Sequence, residues 1–232
     1  MTDALPLWAE NLAVFDTETT GVDPARARVV SSSIALLGGG GEVRERYDWL
    51  IDPGVEIPYA AAQVHGITTE VARASGVDAA VGILQIVEQL QAMVDRGFAL
   101  VVYNAPYDLT LLHAEAARHG ISWPGDLSPV VDPLVIDKQV DRYRKGKRTL
   151  EVVSQHYGVE LGAAHDAGED AIAAGRAAQA LARRYSQVLP EEAAALHDAQ
   201  IAWAAAQAAS FQEYMRRVKD PSFVADGAWP IR

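Results

Sequence analysis

Apolar residues fall into two kinds of pattern along this chain. Leu12-Ala13-Val14-Phe15 is an unbroken apolar run, and apolar or β-branched residues are enriched over 28–37 and 43–51. These stretches predict strands at about 11–17, 28–37 and 43–51. Gly38-Gly39-Gly40-Gly41 joins the second to the third as a hairpin tip. It lacks the Lys-Ser/Thr and helix start that follow a phosphate-cradling glycine loop. Phe98 to Tyr103 is almost wholly apolar and predicts a buried central strand, and Val130-Val131 predicts a further short one. Elsewhere the period changes. Val81, Leu84, Val87, Leu90 and Val94 recur at spacings of three and four, which predicts an amphipathic helix over 79–96. Further helices are expected at about 59–64, 106–119, 133–142, 149–157 and 169–185. A last, long one is expected over 191–219, with Leu196, Ala199, Trp203, Ala206, Ser210, Tyr214 and Val218 as its stripe.

This order predicts an α/β fold with a mixed five-stranded sheet flanked by helices. The first three strands form an antiparallel meander, and the later ones reach a parallel arrangement through helical crossovers. A chain of 232 residues fits one domain over 1–188, with 189–232 as an appended C-terminal helix and tail. The stripe on that helix fits either packing against the domain or a contact with a second copy or a polymerase partner.

Composition narrows the setting. No apolar run reaches ~18 residues, so no membrane span is expected. Met1-Thr2-Asp3-Ala4 opens no signal peptide, and the absence of cysteine excludes disulfides and thiolate zinc sites. A cytoplasmic protein is expected. The net charge of −11 argues against a general nucleic-acid binder. The charge is uneven, however. Over 138–148, Lys138, Arg142, Arg144, Lys145, Lys147 and Arg148 face only Asp141, which reads as a solvated loop or as a phosphate-contacting strap.

Candidate chemistry lies in three acidic clusters. Asp16 and Glu18 stand two apart at the end of the first strand, so an extended backbone turns both toward one face. Two converging acids beside an apolar core are costly unless a cation lies between them. The second cluster, Asn104-Ala105-Pro106-Tyr107-Asp108, follows the buried strand. The third, His165-Asp166-Ala167-Gly168-Glu169-Asp170, opens the Ala-rich helix. Taken singly, an acidic pair at a helix start is usually a cap, and a lone histidine is usually structural. Asp166 and Glu169 keep that capping or solvated reading, and Asn104 reads chiefly as a cap. His65 reads equally as a pocket-lining or a turn residue.

Together the three clusters resemble the DnaQ-like (DEDDh) 3′→5′ exonuclease family. Residues 16–21 match its Asp-x-Glu-Thr-Thr-Gly motif, Asn104 and Asp108 its second motif, and His165 and Asp170 its His-x-x-x-x-Asp motif. His65-Gly66-Ile67-Thr68 resembles a recurrent segment between the first two. The position four before Asp170 holds Asp166 where the tyrosine branch has Tyr, so the chain resembles the histidine branch.

The resemblance implies an RNase H-like fold and two Mg²⁺ or Mn²⁺ ions held by Asp16, Glu18, Asp108 and Asp170. Asp16 would bridge both ions, Asp108 would bind more indirectly, and His165 would be the general base. Thr17, Thr19, Thr20, Gly21, His65 and Asn104 would line the terminal nucleotide. The implied substrate is the 3′ end of single-stranded DNA, with nucleoside 5′-monophosphates as products. Nothing reads a 2′-hydroxyl, so an RNA exonuclease of the oligoribonuclease or RNase T type is the alternative. A non-catalytic polymerase accessory module is the more distant one. Tyr103 and Tyr107 depart from the family's usual His and Phe, a change expected to bear on stacking of the terminal base.

Overall fold

The computed structural model describes residues 5–162 and 165–232; the chain's first four residues, in the predicted lead-in, and Ala163 and Ala164 lie outside that description. In order, the elements are α1 (Leu7–Glu10), β1 (Asn11–Thr19), β2 (Val29–Gly38), β3 (Val43–Asp52), α2 (Tyr59–His65), α3 (Thr69–Ser75) and β4 (Val77–Asp78). Then follow α4 (Ala79–Asp95), β5 (Ala99–Val101), α5 (Ala105–Arg118), β6 (Val130–Val131), α6 (Pro133–Val140), α7 (Leu150–Tyr157), α8 (Ala167–Arg184) and α9 (Ala193–Val218).

Among the described residues the sheet has six strands in the order β4-β3-β2-β1-β5-β6. β1, β2 and β3 pair antiparallel, while β1–β5, β5–β6 and β3–β4 are parallel. The α/β fold and the antiparallel-then-parallel arrangement agree with the expectation from sequence. The sixth strand, β4, is an addition: two residues pairing with the end of β3, too short to leave a period. α1 and α3 are likewise short additions. Thr68 caps α3 by accepting a hydrogen bond from Val71 N.

Side chains alternate across the sheet, and the core divides accordingly. Ala13, Phe15, Leu100 and Val102 face α4 and α5. Leu12, Val14, Ala99 and Val101 face α6 and α8. β2 is buried along nearly its whole length because it lies between β1 and β3 with helices over it. β3, by contrast, is largely exposed and carries Arg44, Glu45, Arg46 and Asp48, which keep a near-edge strand soluble.

α8 approaches the sheet closely because its inner face is built of Ala and Gly. A Cβ on Gly175 would come within 2.5 Å of the Leu37 and Val14 side chains. The helix is also pinned to the β2–β3 turn. Gln179 donates to the carbonyls of Ala9 and Gly38, and Arg176 donates to that of Gly41. This placement brings the first turn of α8 to the carboxyl end of β1.

α9 differs from the expected stripe. Leu196 and Gln200 are fully buried, whereas Phe211, Tyr214 and Val218 are exposed. The inward face runs through Leu196, Gln200, Trp203 and Gln207. Two amides therefore occupy positions that a purely apolar pattern skips. Gln200 accepts from Asp132 N and donates to Val130 O, while His197 Nδ1 accepts from Val130 N. Side chains of α9 thus satisfy the outer edge of β6, as a neighbouring strand would. The tail returns across the molecule, and Trp229 is buried in the α4–α5 core.

Candidate active site

The site forms at the carboxyl ends of β1 and β5. Asp16 and Glu18 share the face of β1 that Leu12 and Val14 also use, which is the face covered by α8. Asp170, in the first turn of α8, meets them there. Regular pairing of β1 with β2 shifts between Glu18 and Thr19, and that bulge turns the strand end away from the ladder.

Asp108 arrives from the other side of the sheet. It is in the first turn of α5 and almost fully buried, and Thr17 Oγ1 donates to its Oδ1 at 2.5 Å. Thr17 lies on the opposite face of β1 from Asp16 and Glu18. The two faces of one strand therefore deliver acids to a common end. Among the four acids, Asp108 is the one tied to a side chain of the described residues.

The carboxylates strongly perturb one another. Burial, followed by like-charge repulsion from Asp108, Asp170 and Glu18, holds Asp16 well above the ordinary carboxylate range. Burial pushes Glu18 up to about 8, with Asp170, Asp108 and Asp166 adding repulsion. Asp108 is pushed up to about 7 by burial, against the opposing hydrogen bond from Thr17. Asp170 is raised by burial, and the hydrogen bond from the His165 amide opposes the shift. Raised acids clustered at a strand end are the electrostatic signature of a functional site.

Glu18, His165 and Asp170 each offer a ligand atom, and those atoms lie within 4.8 Å of one another. An oxygen-rich donor set that is repulsive without a counter-charge fits divalent cations of the Mg²⁺ or Mn²⁺ kind. His165 is exposed and has φ 64, and its amide donates to Asp170 Oδ2 at 3.2 Å. A non-glycine residue held in the left-handed region beside a reactive cluster is typical of functional positions.

The remaining predicted site residues divide. Thr19 Oγ1 donates to Gly21 O at 2.9 Å and lies 2.6 Å from the Tyr107 hydroxyl, which itself donates to Gly21 O. The loop after β1 is thereby fixed, and Tyr107 does so with a hydroxyl that Phe lacks. His65 stands beside the Thr19 backbone and near His165. Its Nδ1 accepts from Ile67 N, and burial is the first cause of its lowered pKa. His65 thus closes its turn.

Two of the threonine hydroxyls are engaged within the protein, and the cap expected of Asn104 requires correction. Thr17 is buried and its hydroxyl donates to Asp108. Thr20 Oγ1 accepts from Arg28 N, closing the loop rather than the site. Asn104 makes no side-chain cap. Its backbone adopts φ 60, ψ 48, and its amide donates to Asp132 Oδ1, so it contributes as a sharp turn between β5 and α5. Tyr103 points away from the acids, donating to Arg148 O at 2.7 Å. Asp166 does cap α8, accepting from Gly168 N and Glu169 N, and pairs with Arg46 together with Glu169.

Asp132 went unnoticed in the sequence. It is fully buried and accepts from the amides of Asn104, Ala105 and Leu134 and from Trp229 Nε1. The available signal was Asp132-Pro133 directly after Val130-Val131, a helix cap followed by proline at the first helical position.

A family model described as exonuclease, of the RNase T type, matches residues 13–178. The PolC-type DNA polymerase III of Streptococcus thermophilus is 30% identical over 173 residues, covering 74% of this chain and 11% of that protein. A DNA polymerase III subunit epsilon-like protein of Rhodobacter capsulatus is 30% identical over 176 residues, covering 74% of this chain and 24% of that protein. The chain thus spans between 11% and 24% of the length of these curated relatives. Among solved structures, E. coli exonuclease I in complex with a dA16 oligonucleotide shares the fold at a TM-score of 0.65 and 21% identity, over 77% of this chain and 42% of that one. A 3′-exonuclease that recognises the 3′ end of a histone mRNA stem-loop shares it at a TM-score of 0.64 and 11% identity, over 78% of this chain and 66% of that one. The family match contains the residues of all three acidic motifs, and the chain belongs to the DnaQ-like exonuclease family.

Proposed function

We propose that this protein is a DEDDh-type 3′→5′ exonuclease that removes nucleoside 5′-monophosphates from the 3′ end of single-stranded DNA. The observation that carries the reading is the convergence of Asp16, Glu18 and Asp170 on one strand end, with Asp108 beside them and His165 adjoining Asp170. Asp16, Glu18, Asp108 and Asp170 would hold two divalent cations, Mg²⁺ or Mn²⁺. When bound, these supply charge neutralisation at the phosphate and at the departing oxygen.

The chain's own residues account for the remaining steps. His165 accepts the proton of the attacking water, a role suited to an imidazole at neutral pH. A new P–O bond forms to that water. The P–O3′ bond breaks, and the 3′ oxygen leaves with a proton as the new terminal hydroxyl. The loop fixed by Thr19, Gly21 and Tyr107, together with His65, borders the terminal nucleotide. The exposed position of His165 leaves its imidazole free to approach the substrate.

The test is hydrolysis of 5′-labelled oligodeoxynucleotides with Mg²⁺, with matched RNA oligomers alongside. A ladder shortening from the 3′ end, lost with chelator and in Asp16→Ala, is expected. His165→Ala should lose hydrolysis while retaining Mn²⁺ binding by calorimetry. Loss of both would make His165 a ligand rather than the base.

A further inference from the structure

Residues 189–232 lie outside the family match, and they enclose a groove. α9 and the tail after Pro221 stand on one side and α6 on the other, around a cavity of about 790 Å³. The groove opens at the carboxyl end of the sheet, beyond β5 and β6. Asn104 and Pro106, at the start of the helix that carries Asp108, reach into it. These two residues, four and two positions before Asp108, are its link to the neighbourhood of the acidic site.

Its two walls differ in chemistry. One carries Lys138, Arg142 and Arg148. Arg148 is already engaged by Asp137, as is Arg144. Lys138 and Arg142 form no ion pair among the described residues, and both are exposed. Burial lowers the Lys138 pKa and Arg148 adds repulsion, while Asp132 and Asp137 oppose the shift. Its ammonium is thus accessible yet surrounded, as expected inside a groove. The other wall carries Phe211 and Tyr214, 51% and 52% exposed. The Phe223 ring meets Phe211 edge-on at 5.5 Å and holds it in place. The groove's acids are engaged locally: Asp132 accepts four hydrogen bonds, and Asp226 accepts one from Ala228 N.

Cations on one wall and exposed rings on the other are the two elements of a single-strand track, one for phosphates and one for bases. In a chain of net charge −11, cations gathered in a groove beside the acids are a local feature, not a general surface property. We infer that this groove binds the single-stranded nucleic acid 5′ to the scissile end, with Lys138 and Arg142 on its phosphates and Phe211 and Tyr214 stacked on its bases. The inference rests on the proposed exonuclease reading for its polarity, but its binding component is measurable separately.

The experiment uses the full chain and two double variants, Lys138→Ala/Arg142→Ala and Phe211→Ala/Tyr214→Ala. Binding of 5′-fluorescein-dT15 is measured by anisotropy in chelator, and turnover is measured with Mg²⁺ on dT15 and on a dinucleotide too short to reach the groove. Each pair is expected to weaken dT15 binding about tenfold. The cation pair should also lower the slope of log affinity against log salt by about two. KM for dT15 should rise, with dinucleotide turnover unchanged. Phe211→Trp/Tyr214→Trp should retain affinity. Unchanged dT15 affinity in both pairs overturns the inference, as do equal losses on the dinucleotide. A wild type that sediments as a dimer, with variants that are monomeric and bind dT15 normally, assigns the groove to a second copy and overturns it too. Groove-dependent binding without any hydrolysis would sink the exonuclease reading and leave the track standing.

Discussion

α8 and α9 are both Ala-rich helices laid against the same sheet, yet they attach to it by opposite means. α8 covers a face. Its glycines and alanines let it sink onto Val14 and Leu37, and that depth sets where Asp170 stands relative to Asp16 and Glu18. α9 covers an edge. There the requirement is the unpaired backbone of β6, and Gln200 and His197 supply the missing partners. Small side chains thus position chemistry in one case, and polar side chains close a sheet in the other. Damage to the first should appear in turnover, and damage to the second in stability.

The largest expected effect tests what α8 delivers. Asp170→Ala should reduce turnover to background, and His165→Ala should cost about 10²–10⁴-fold in kcat, with melting temperatures little lowered. A substantial residual rate in Asp170→Ala would break the comparison at its functional end.

Next is Gly175→Val. Its side chain would meet Leu37 and Val14, so overpacking of about 1–3 kcal/mol is expected in denaturant unfolding. A fall in kcat should accompany it as Asp170 is lifted. Lost stability with normal kcat would show that the depth of α8 is not what sets the site.

Gln200→Ala should behave in the opposite way. Leaving Val130 O and Asp132 N unpaired should cost about 1–3 kcal/mol. Dinucleotide turnover should stay near wild type at a temperature where the variant is folded. A kcat loss matching that of Gly175→Val would erase the distinction between face and edge.

The last effect is electrostatic and belongs to the carboxylate cluster. Glu18 and Asp108 have folded-state pKa values raised to about 8 and about 7. Between their unfolded values and those values the folded state holds more protons than the unfolded one. Without cations, stability should therefore be greatest below the unfolded pKa values and fall as pH rises toward 8. Mg²⁺ should raise the melting temperature more at pH 8 than at pH 5. An equal rise at both would indicate that the ion does not replace those protons.

The sequence made the face side far more legible than the edge side. Asp16, Glu18, Asp108 and Asp170 were legible because they stand at the spacings of the family's motifs, within the matched residues. The internal bond of Thr17 was not legible from the motif: alternation along β1 sends its hydroxyl to Asp108. The register of α9 was missed because a purely apolar stripe passes over Gln200 and Gln207, whose amides face inward to the backbone of β6 and α6. β4 and α3 lay below the length at which periodicity is visible. Asn104 resembled a cap by type, but its contribution is a left-handed backbone that no spacing rule records.

Asp132 gives these observations a mechanical meaning. One carboxylate receives the amides that begin α5, the amide that begins α6 and the indole of Trp229 from the tail. The helix bearing Asp108, the wall bearing Lys138 and the end of the C-terminal segment therefore share a single hinge pin. One buried carboxylate is thus the knot that ties the C-terminal segment to the two helices on either side of β6.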